Sequence, residues 1–366
     1  MFYLICGIAF VKSGVLKILV PSTVILGIAT AVLGFSTQSG NMMLYNISLF
    51  LVRLLVVPLQ MGGFMLCGNW FIKYRGRVMG IITAGSPLFS IVGISILTKV
   101  YTSLGSISMA YTIFGIVIIA LAVCFVVFLK DKPEDLGLYP DGASRPPVSE
   151  AEEGSEDVSL KEILTSKVAW QLIISYGIMQ FVINAMMAYM VARYMMLSPD
   201  PENPMALWLE AVVFLSVGAA LGIPMSYVLG WVDDKMGTIK ASLLLNLMFF
   251  IAVIPLAIMP VGGSKLLMAI WAFGVACMTG GVPTMHPCSV SYVYGRKKYQ
   301  GANKWIMTIQ AIIMAFALYY MGFFFERGMA ETAYYGMLIM LVVSLMTIIT
   351  MWKVPDANAA DRDYKK

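Results

Sequence analysis

Long apolar stretches are the feature that most constrains how this chain can fold. Runs of about 18 or more apolar residues recur along the 366 residues, and each is long enough to cross a hydrocarbon core of roughly 30 Å as a helix. Because 60% of the residues are apolar and only 12% are charged, an ordinary soluble domain is excluded. We expect an all-α, polytopic membrane protein in which an N-terminal helical fragment precedes ten full spans. These spans are predicted near residues 17–36, 43–68, 78–100, 107–129, 167–190, 206–230, 241–260, 266–290, 304–325 and 332–352.

The basic residues predict which side of the membrane each loop faces. Of the 25 lysines and arginines, 20 lie in one set of loops and only four in the alternate set. Cytoplasmic loops carry such an excess, so we expect a multi-pass protein of the plasma (cytoplasmic) membrane with a cytoplasmic C-terminus. Nucleic acid is not an expected partner, because the charge is spread over short loops beside membrane spans. The basic set comprises residues 12–17, 69–77, 130–168, 232–240, 291–304 and 353–366.

A short charged turn, Gly230–Lys240, has a weaker copy at residues 7–17. Four residues of the two copies match at a constant offset of 223, but Val11 occupies the position of Asp234. A second pair of loops, around Lys73 and Arg296, falls into register at the same offset. We therefore predict two homologous halves in tandem. The matched pairs are Gly7 with Gly230, Lys12 with Lys235, Gly14 with Gly237, and Lys17 with Lys240.

The pattern Gly-x-x-x-Asp-Lys-x-Gly-x-x-Lys in this turn resembles the cytoplasmic loop motif of major facilitator superfamily transporters. That resemblance implies two pseudo-symmetric six-helix bundles, a substrate site between them near mid-membrane, and alternating access. We expect Asp234 to bond the N-terminus of a neighbouring helix, with Lys235, Arg296 and Lys298 as candidate partners. The residues that the motif implies for cytoplasmic gating are Gly230, Asp234, Lys235, Gly237 and Lys240.

Three further stretches resemble oxalate/formate-antiporter-like and monocarboxylate-type members of the superfamily. They are residues 69–80 with their Trp-Phe, basic cluster and Arg-Gly, the segment Lys132–Gly142, and the loop Tyr294–Gly301. In the first stretch, Arg75, Gly76 and Arg77 match the family's loop between helices four and five. The resemblance therefore implies that these three residues are a second gating motif on the cytoplasmic side.

The repeat divides the chain into four segments. Residues 1–130 are predicted to form the N-terminal bundle, which lacks the family's first helix and most of its second, and residues 167–353 the C-terminal six-helix bundle. Residues 131–166 are predicted to be a cytoplasmic acidic linker that is flexible from residue 144 onward, and residues 354–366 a cytoplasmic tail. We interpret the missing helices as a truncated or mis-started sequence and expect an in-frame apolar segment upstream of Met1.

Arg53 is the ionisable residue placed deepest in a predicted span. It lies about ten residues into the span 43–68, on the order of 15 Å along the helix. A permanent guanidinium charge there could grip a carboxylate substrate through two hydrogen bonds. The alternative is a structural role, in which Arg53 pairs with carbonyls or an acid of another helix or extends toward the interface. Gln60 shares its helix face and is a second candidate.

A polar stripe on the span 167–190 supplies further candidates. Tyr176, Gln180 and Asn184 recur every four residues and should face protein or water rather than lipid. The family resemblance implies that this helix lines the central cavity, so we expect Gln180 and Asn184 in particular to contact substrate. Hydrogen bonding between helices without substrate contact is the alternative. Gln310, in the span 304–325, is a further cavity candidate.

His286 is the only histidine of the chain and a candidate for proton coupling. A structural hydrogen bond near the cytoplasmic end of its span is the alternative. Nearby glycines and prolines predict that this helix is broken. The five cysteines show neither a disulfide framework nor zinc-ligand spacing, so no metal is expected. The residues that predict the break are Gly280, Gly281, Pro283 and Pro287.

These patterns predict a secondary active transporter of a small organic anion, coupled to protons or a counter-ion. We expect a monomer in the lipid bilayer that needs no cofactor. Because the sequence lacks a P-loop and catalytic motifs, ATP-driven transport and enzymatic activity have no support. Two alternatives remain: an exporter of amphipathic compounds in which Arg53 is structural, and a non-transporting membrane receptor or scaffold on the same fold.

Overall fold

The computed structural model describes residues 2–143, 157–197 and 204–358, which are helical apart from short turns and connecting segments. The acidic stretch 144–156 and the end of the predicted tail lie outside the described residues. The helices are α1 (Phe2–Ser13), α2 (Leu16–Ser39), α3 (Met42–Trp70), α4 (Arg75–Leu104), α5 (Ile107–Phe128), α6 (Leu160–Thr165), α7 (Lys167–Leu197), α8 (Pro204–Met236), α9 (Thr238–Ala257), α10 (Lys265–Glu326) and α11 (Ala330–Thr350).

Helices lie at each of the ten predicted spans, and α1 is the predicted N-terminal fragment. Helix α10 covers two of the spans, because its backbone breaks at Gly295, where φ is 66° and ψ is 179°. We call residues 265–294 α10a and residues 296–326 α10b. Counted with α10 as one, eight of the described helices are long and apolar enough to cross a membrane.

The helices pack into two bundles. Helices α1–α5 form the first, in which α2 packs against α3 and α5, and α7–α11 form the second, in which α10 packs against α7, α8 and α9. Between the bundles, α4 meets α8 and α10, while α1 meets α10. We call the end of the molecule that carries residues 69–77, 232–240 and 291–304 the basic face, and the other end the opposite face.

The two copies of the repeated turn share a positive φ at one matched glycine. Gly14 and Gly237 are the third matched pair of the repeat, and both adopt positive φ values, 88° and 89°. The first matched glycines also have equivalent surroundings, since Gly7 packs against Lys304 of α10b and Gly230 against Gly76 of α4. In each copy the glycine therefore allows a close approach to the other bundle. These two shared features agree with the predicted repeat.

The predicted break within α10a is wrong. The helix continues through Pro283 and Pro287, and the backbone departs from helical geometry only at Gly295. Gly280 serves helix packing instead, because a Cβ atom there would lie 2.5 Å from the carbonyl oxygen of Gly222 in α8. Small residues at such contacts let membrane helices approach closely, and helical prolines are tolerated where neighbouring helices surround them.

The described parts of the segment between the bundles contain short helical turns, although most of their residues are exposed. Two short 3₁₀ turns, Pro133–Leu136 and Pro140–Gly142, follow α5. Val158 and Ile163, before and within α6, are buried. The prediction of a flexible tether therefore does not hold for residues 157–166, because Val158 and Ile163 anchor this segment in the hydrophobic core.

Candidate functional site

A cavity of about 300 Å³ lies between the two bundles. Helix α3 of the first bundle forms one wall, and α7, α10a and α10b of the second bundle form the others. Four residues predicted from the sequence line it, which brings together side chains from three separate spans. These residues are Gln60, Gln180, Asn184 and His286.

A chain of amides behind the cavity wall holds two of these side chains. The Asn184 amide donates to the carbonyl oxygen of Gln180 at 2.8 Å, and the Gln180 amide donates to the side-chain oxygen of Gln310 at 3.3 Å. Gln310 is buried and donates in turn to the carbonyl oxygen of Leu172 at 3.1 Å. Gln310 therefore orients Gln180 from behind and does not line the cavity, contrary to its predicted place.

Three buried polar atoms on the α10 side of the cavity have no hydrogen-bond partner among the described residues: Nε2 of His286, the hydroxyl of Tyr299 and Oδ1 of Asn303. Buried polar groups in proteins are nearly always paired, so these three side chains are the ones beside the cavity that still have an unpaired polar atom. Tyr299 and Asn303 escaped the sequence reasoning because residues 291–304 were assigned to a loop. Tyr299, Asn303 and Gln310 recur at intervals of four and seven residues along one face of α10b, and this spacing could have identified Tyr299 and Asn303 from the sequence.

Tyr176 does not belong to the cavity wall. Its hydroxyl lies 2.8 Å from Oγ of Ser242 and 2.7 Å from Oγ of Ser289, inside the second bundle. Its ring packs edge-on against His286, with the ring centroids 5.4 Å apart. The stripe predicted from four-residue spacing splits because each such step advances about 40° around a helix. Tyr176 supports His286 from behind, whereas Asn184 faces the cavity.

Arg53 does not line the cavity either. It is exposed on α3, two helical turns from Gln60 toward the opposite face, and lies on the same side of the helix as Gln60. No ion pair with an acid is found for Arg53 in the described part of the chain. The structure therefore separates Arg53 from the amides with which it was expected to act.

On the basic face, Asp234 of α8 joins the two bundles. Its carboxylate accepts hydrogen bonds from the backbone N–H groups of Gly76 at 3.0 Å and Arg77 at 3.2 Å, and lies 3.3 Å from Nε of Arg77. These N–H groups belong to the first turn of α4, where an acid is favoured by unpaired donors and by the helix dipole. The predicted bond to a helix N-terminus is confirmed, but the basic partner is Arg77 rather than Lys235, Arg296 or Lys298.

Arg75 crosses from α4 into the second bundle next to this contact. Its side chain is only 1% exposed and donates to the hydroxyl of Ser291 and to the carbonyl oxygen of Cys288, the latter at 3.3 Å. The thiol of Cys288 packs with Cys67 of α3 and Met79 of α4. Arg75 and this small cluster thus seal the interface between the bundles beneath the cavity.

Lys235 and Lys240, the two lysines of the motif, contact aromatic rings of their own bundle. Nζ of Lys235 lies 4.7 Å from the ring centroid of Trp231, and Nζ of Lys240 lies 5.9 Å from that of Trp352. Gly237 provides the positive φ needed where α8 turns into α9. Within the motif, Gly230 and Asp234 make the inter-bundle contacts.

The sequence matches the family model of the Major Facilitator Superfamily over residues 1–317. The chain belongs to the major facilitator superfamily. This major facilitator protein is a membrane transporter of a small solute rather than an enzyme. No curated protein matches its sequence.

Solved structures of other transporters share the fold of this major facilitator protein. FucP in the outward conformation has a TM-score of 0.69 and 12% identity, covering 95% of this chain and 86% of its own. The proton:xylose symporter XylE, bound to 6-bromo-6-deoxy-D-glucose, has a TM-score of 0.67 and 12% identity over 97% and 83% of the chains. A bacterial homologue of the iron transporter ferroportin in an outward-facing state gives 0.62 and 12% over 95% and 88%. At identities this low, the structural similarity shows a common fold and nothing more specific.

Proposed function

We propose that this transporter carries a small organic anion by alternating access, as a secondary active transporter coupled to protons or a counter-ion. The observation that carries this proposal is the inter-bundle cavity, whose described lining contains polar side chains but neither aspartate nor glutamate. A volume of about 300 Å³ suits a small solute. The similarity of residues 69–80 and 132–142 to oxalate/formate-antiporter-like and monocarboxylate-type members supports the same solute class.

The hydrogen-bond donors of the cavity and the charge of Arg53 support an anion over a cation. The Tyr299 hydroxyl, the Gln60 amide and a protonated Nε2 of His286 can donate hydrogen bonds to carboxylate oxygens. Arg53 lies two turns from Gln60 on the same face of α3, so an anion that enters from the opposite face passes its charge first. A cation would pass this charge as well and would find no acid in the described cavity lining.

Counterflow in proteoliposomes tests this function. Purified protein is reconstituted with an unlabelled solute inside, and entry of the labelled solute is followed for mono- and dicarboxylates, neutral sugars and amphipathic cations. We expect exchange of at least one small carboxylate. Exchange of sugars alone would contradict the anion, and exchange of amphipathic compounds alone would favour the exporter. A protein that binds a solute but exchanges none would favour the receptor.

Replacing Arg53 is expected to weaken the capture of the anion. For Arg53→Ala we expect the KM of the exchanged carboxylate to rise about tenfold, because the entering anion no longer passes a positive charge. Arg53→Lys should fall between this variant and the wild type. Arg327→Ala is the matched control, since Arg327 lies at the same face but over the ring of Phe323. If both Arg53 variants keep the wild-type KM, Arg53 has no role in anion binding.

Replacing His286 is expected to separate driven uptake from exchange. In His286→Gln, accumulation driven by a pH gradient should be lost, whereas counterflow, which needs no proton movement, should stay within about threefold of the wild type. Tyr176→Phe is the control, because it keeps the ring packed on His286 and removes only the hydroxyl. Undiminished accumulation in His286→Gln would exclude this residue as the proton carrier.

A further inference from the structure

Residues 131–143, which we call the strap, follow α5 and are fastened to the first bundle. Oδ1 of Asp131 accepts a hydrogen bond from the N–H of Leu16 at 2.8 Å, where α2 begins. The carboxylate of Asp141 accepts from the N–H groups of Ile72 at 3.0 Å and Lys73 at 2.8 Å, in the loop before α4. The buried Pro133 and Pro140 begin its two 3₁₀ turns. The strap is therefore a folded extension of the first bundle.

The same strap reaches the second bundle through Glu134. The Glu134 carboxylate binds both terminal nitrogens of Arg296 at 3.1 Å in a forked arrangement. The Arg296 side chain is only 9% exposed. Arg296 is the first residue of α10b after the break at Gly295, so the carboxylate also lies at the beginning of a helix. The Glu134 side chain is 34% exposed, so this forked pair is stronger than a fully exposed ion pair but weaker than a buried one.

A second contact beside this pair links the strap to α10b. The side-chain amide of Asn69 donates to the main-chain oxygen of Asp131 at 3.0 Å. The side-chain oxygen of Asn69 accepts from the amide of Gln300 at 3.3 Å. Asn69 therefore bridges the strap and the first turns of α10b.

Comparison of the two repeat copies indicates the role of the contact between Glu134 and Arg296. In the second half, Asp234 binds the first turn of α4 across the interface, whereas the first half has Val11 at the matching position. We propose that Glu134 supplies from the strap the acid that the first copy of the motif lacks. Glu134 and Arg296 are then positioning residues of the transport cycle that hold the basic face closed around α10b, as Asp234 does around α4. This inference rests on the proposed alternating access.

The pair can stabilise only the closed state of the basic face. The strap is hydrogen-bonded to the first bundle and Arg296 belongs to the second, so separation of the bundles at this face must break the contact. Loss of either charge is therefore expected to shift the equilibrium toward opening. Cys288 is fully buried at the interface and becomes reachable only when the bundles part there, so its labelling reports opening.

The test measures the rate at which a maleimide labels Cys288 in purified, detergent-solubilised full-length protein whose other four cysteines are replaced. We expect Glu134→Gln and Arg296→Gln each to raise the rate at least fivefold. The charge-reversed double variant Glu134→Arg/Arg296→Glu should return it to within about twofold of the parent. Lys265→Gln is the matched control, because it breaks an ion pair with Glu210 that lies within the second bundle, and it should leave the rate unchanged.

The outcomes separate this inference from the proposed function. Unchanged labelling in both single variants, or faster labelling that the reversed pair does not restore, overturns the role of the pair. If Arg296→Gln is not recovered as folded protein, Arg296→Lys keeps the charge, loses the fork and should give an intermediate rate. Labelling requires no solute, so a failure to find a transported anion leaves this result standing.

Discussion

Gly230→Ala is expected to prevent the basic face from closing. A Cβ atom at Gly230 would overlap the backbone oxygen of Gly76 in α4, and a Cβ at Gly76 would likewise overlap the backbone oxygen of Gly230. Because the obstructing atoms are backbone, no side-chain rotation relieves the overlap, and the helices must move apart. Overpacking typically costs about 1–3 kcal/mol, which corresponds to a shift of roughly 5- to 150-fold toward the open state.

Two measurements check this expectation. The labelling rate of Cys288, as the only cysteine, should rise by about the same factor as the open population, and counterflow should fall at least about tenfold because the cycle needs the closed state. Gly85→Ala, on the same helix α4, is the matched control, because nothing lies within 4 Å of a Cβ there. Wild-type labelling and exchange in Gly230→Ala would show that α4 and α8 need not touch during transport.

Asp234→Asn is expected to open the basic face by a different route. Asparagine keeps the size of the side chain but removes the negative charge that faces the first turn of α4 and Arg77. The carboxylate is only 6% exposed, so water does not replace these contacts. Hydrogen bonds to a charged group contribute roughly 1.5–3 kcal/mol, so we expect a shift of about 10- to 150-fold toward the open state.

The readout for Asp234→Asn is the same Cys288 labelling rate, together with the KM of a solute supplied from the opposite face, which should rise as the closed state is depopulated. Lys235→Gln is the matched control, since Lys235 is the next residue and stacks on Trp231 within its own helix. Equal labelling rates in the two variants would mean that Asp234 does not hold the basic face closed. Combining Asp234→Asn with Glu134→Gln should open the face further than either change alone.

Much of the fold could be predicted because a membrane imposes simple rules on sequence. Each span needs a long apolar run, so helices were found at all ten predicted positions. The repeat at Gly7 and Gly230 was visible because a positive φ and a close helix approach both require glycine, at the turn and at the contact respectively. The predicted contact between Asp234 and a helix N-terminus held for the same reason, since an acid suits unpaired N–H groups.

The candidate site was only partly predictable. Gln180 and Asn184 were found because polar residues on an apolar helix must face protein or water, yet Tyr176 on the same stripe turned inward to Ser242 and Ser289. Arg53 was singled out because charges inside membrane spans are rare, but its position along α3 carries it beyond the cavity. Which polar residue meets a cavity depends on helix rotation and on the neighbouring helix, and spacing along one chain segment defines neither.

By itself, the sequence determined the class of the protein: an all-helical membrane chain built of two related halves, with Asp234 ready to cap a helix. The tertiary structure alone decided which residues act together across the interface. Arg77 rather than Arg296 pairs with Asp234, and Arg296 pairs instead with Glu134 in a segment that composition assigned to a linker. The physical reason is that apolar spans follow from local free energies of transfer to lipid. Contacts between the bundles join residues more than a hundred positions apart, and only the packing of the helices brings those residues together.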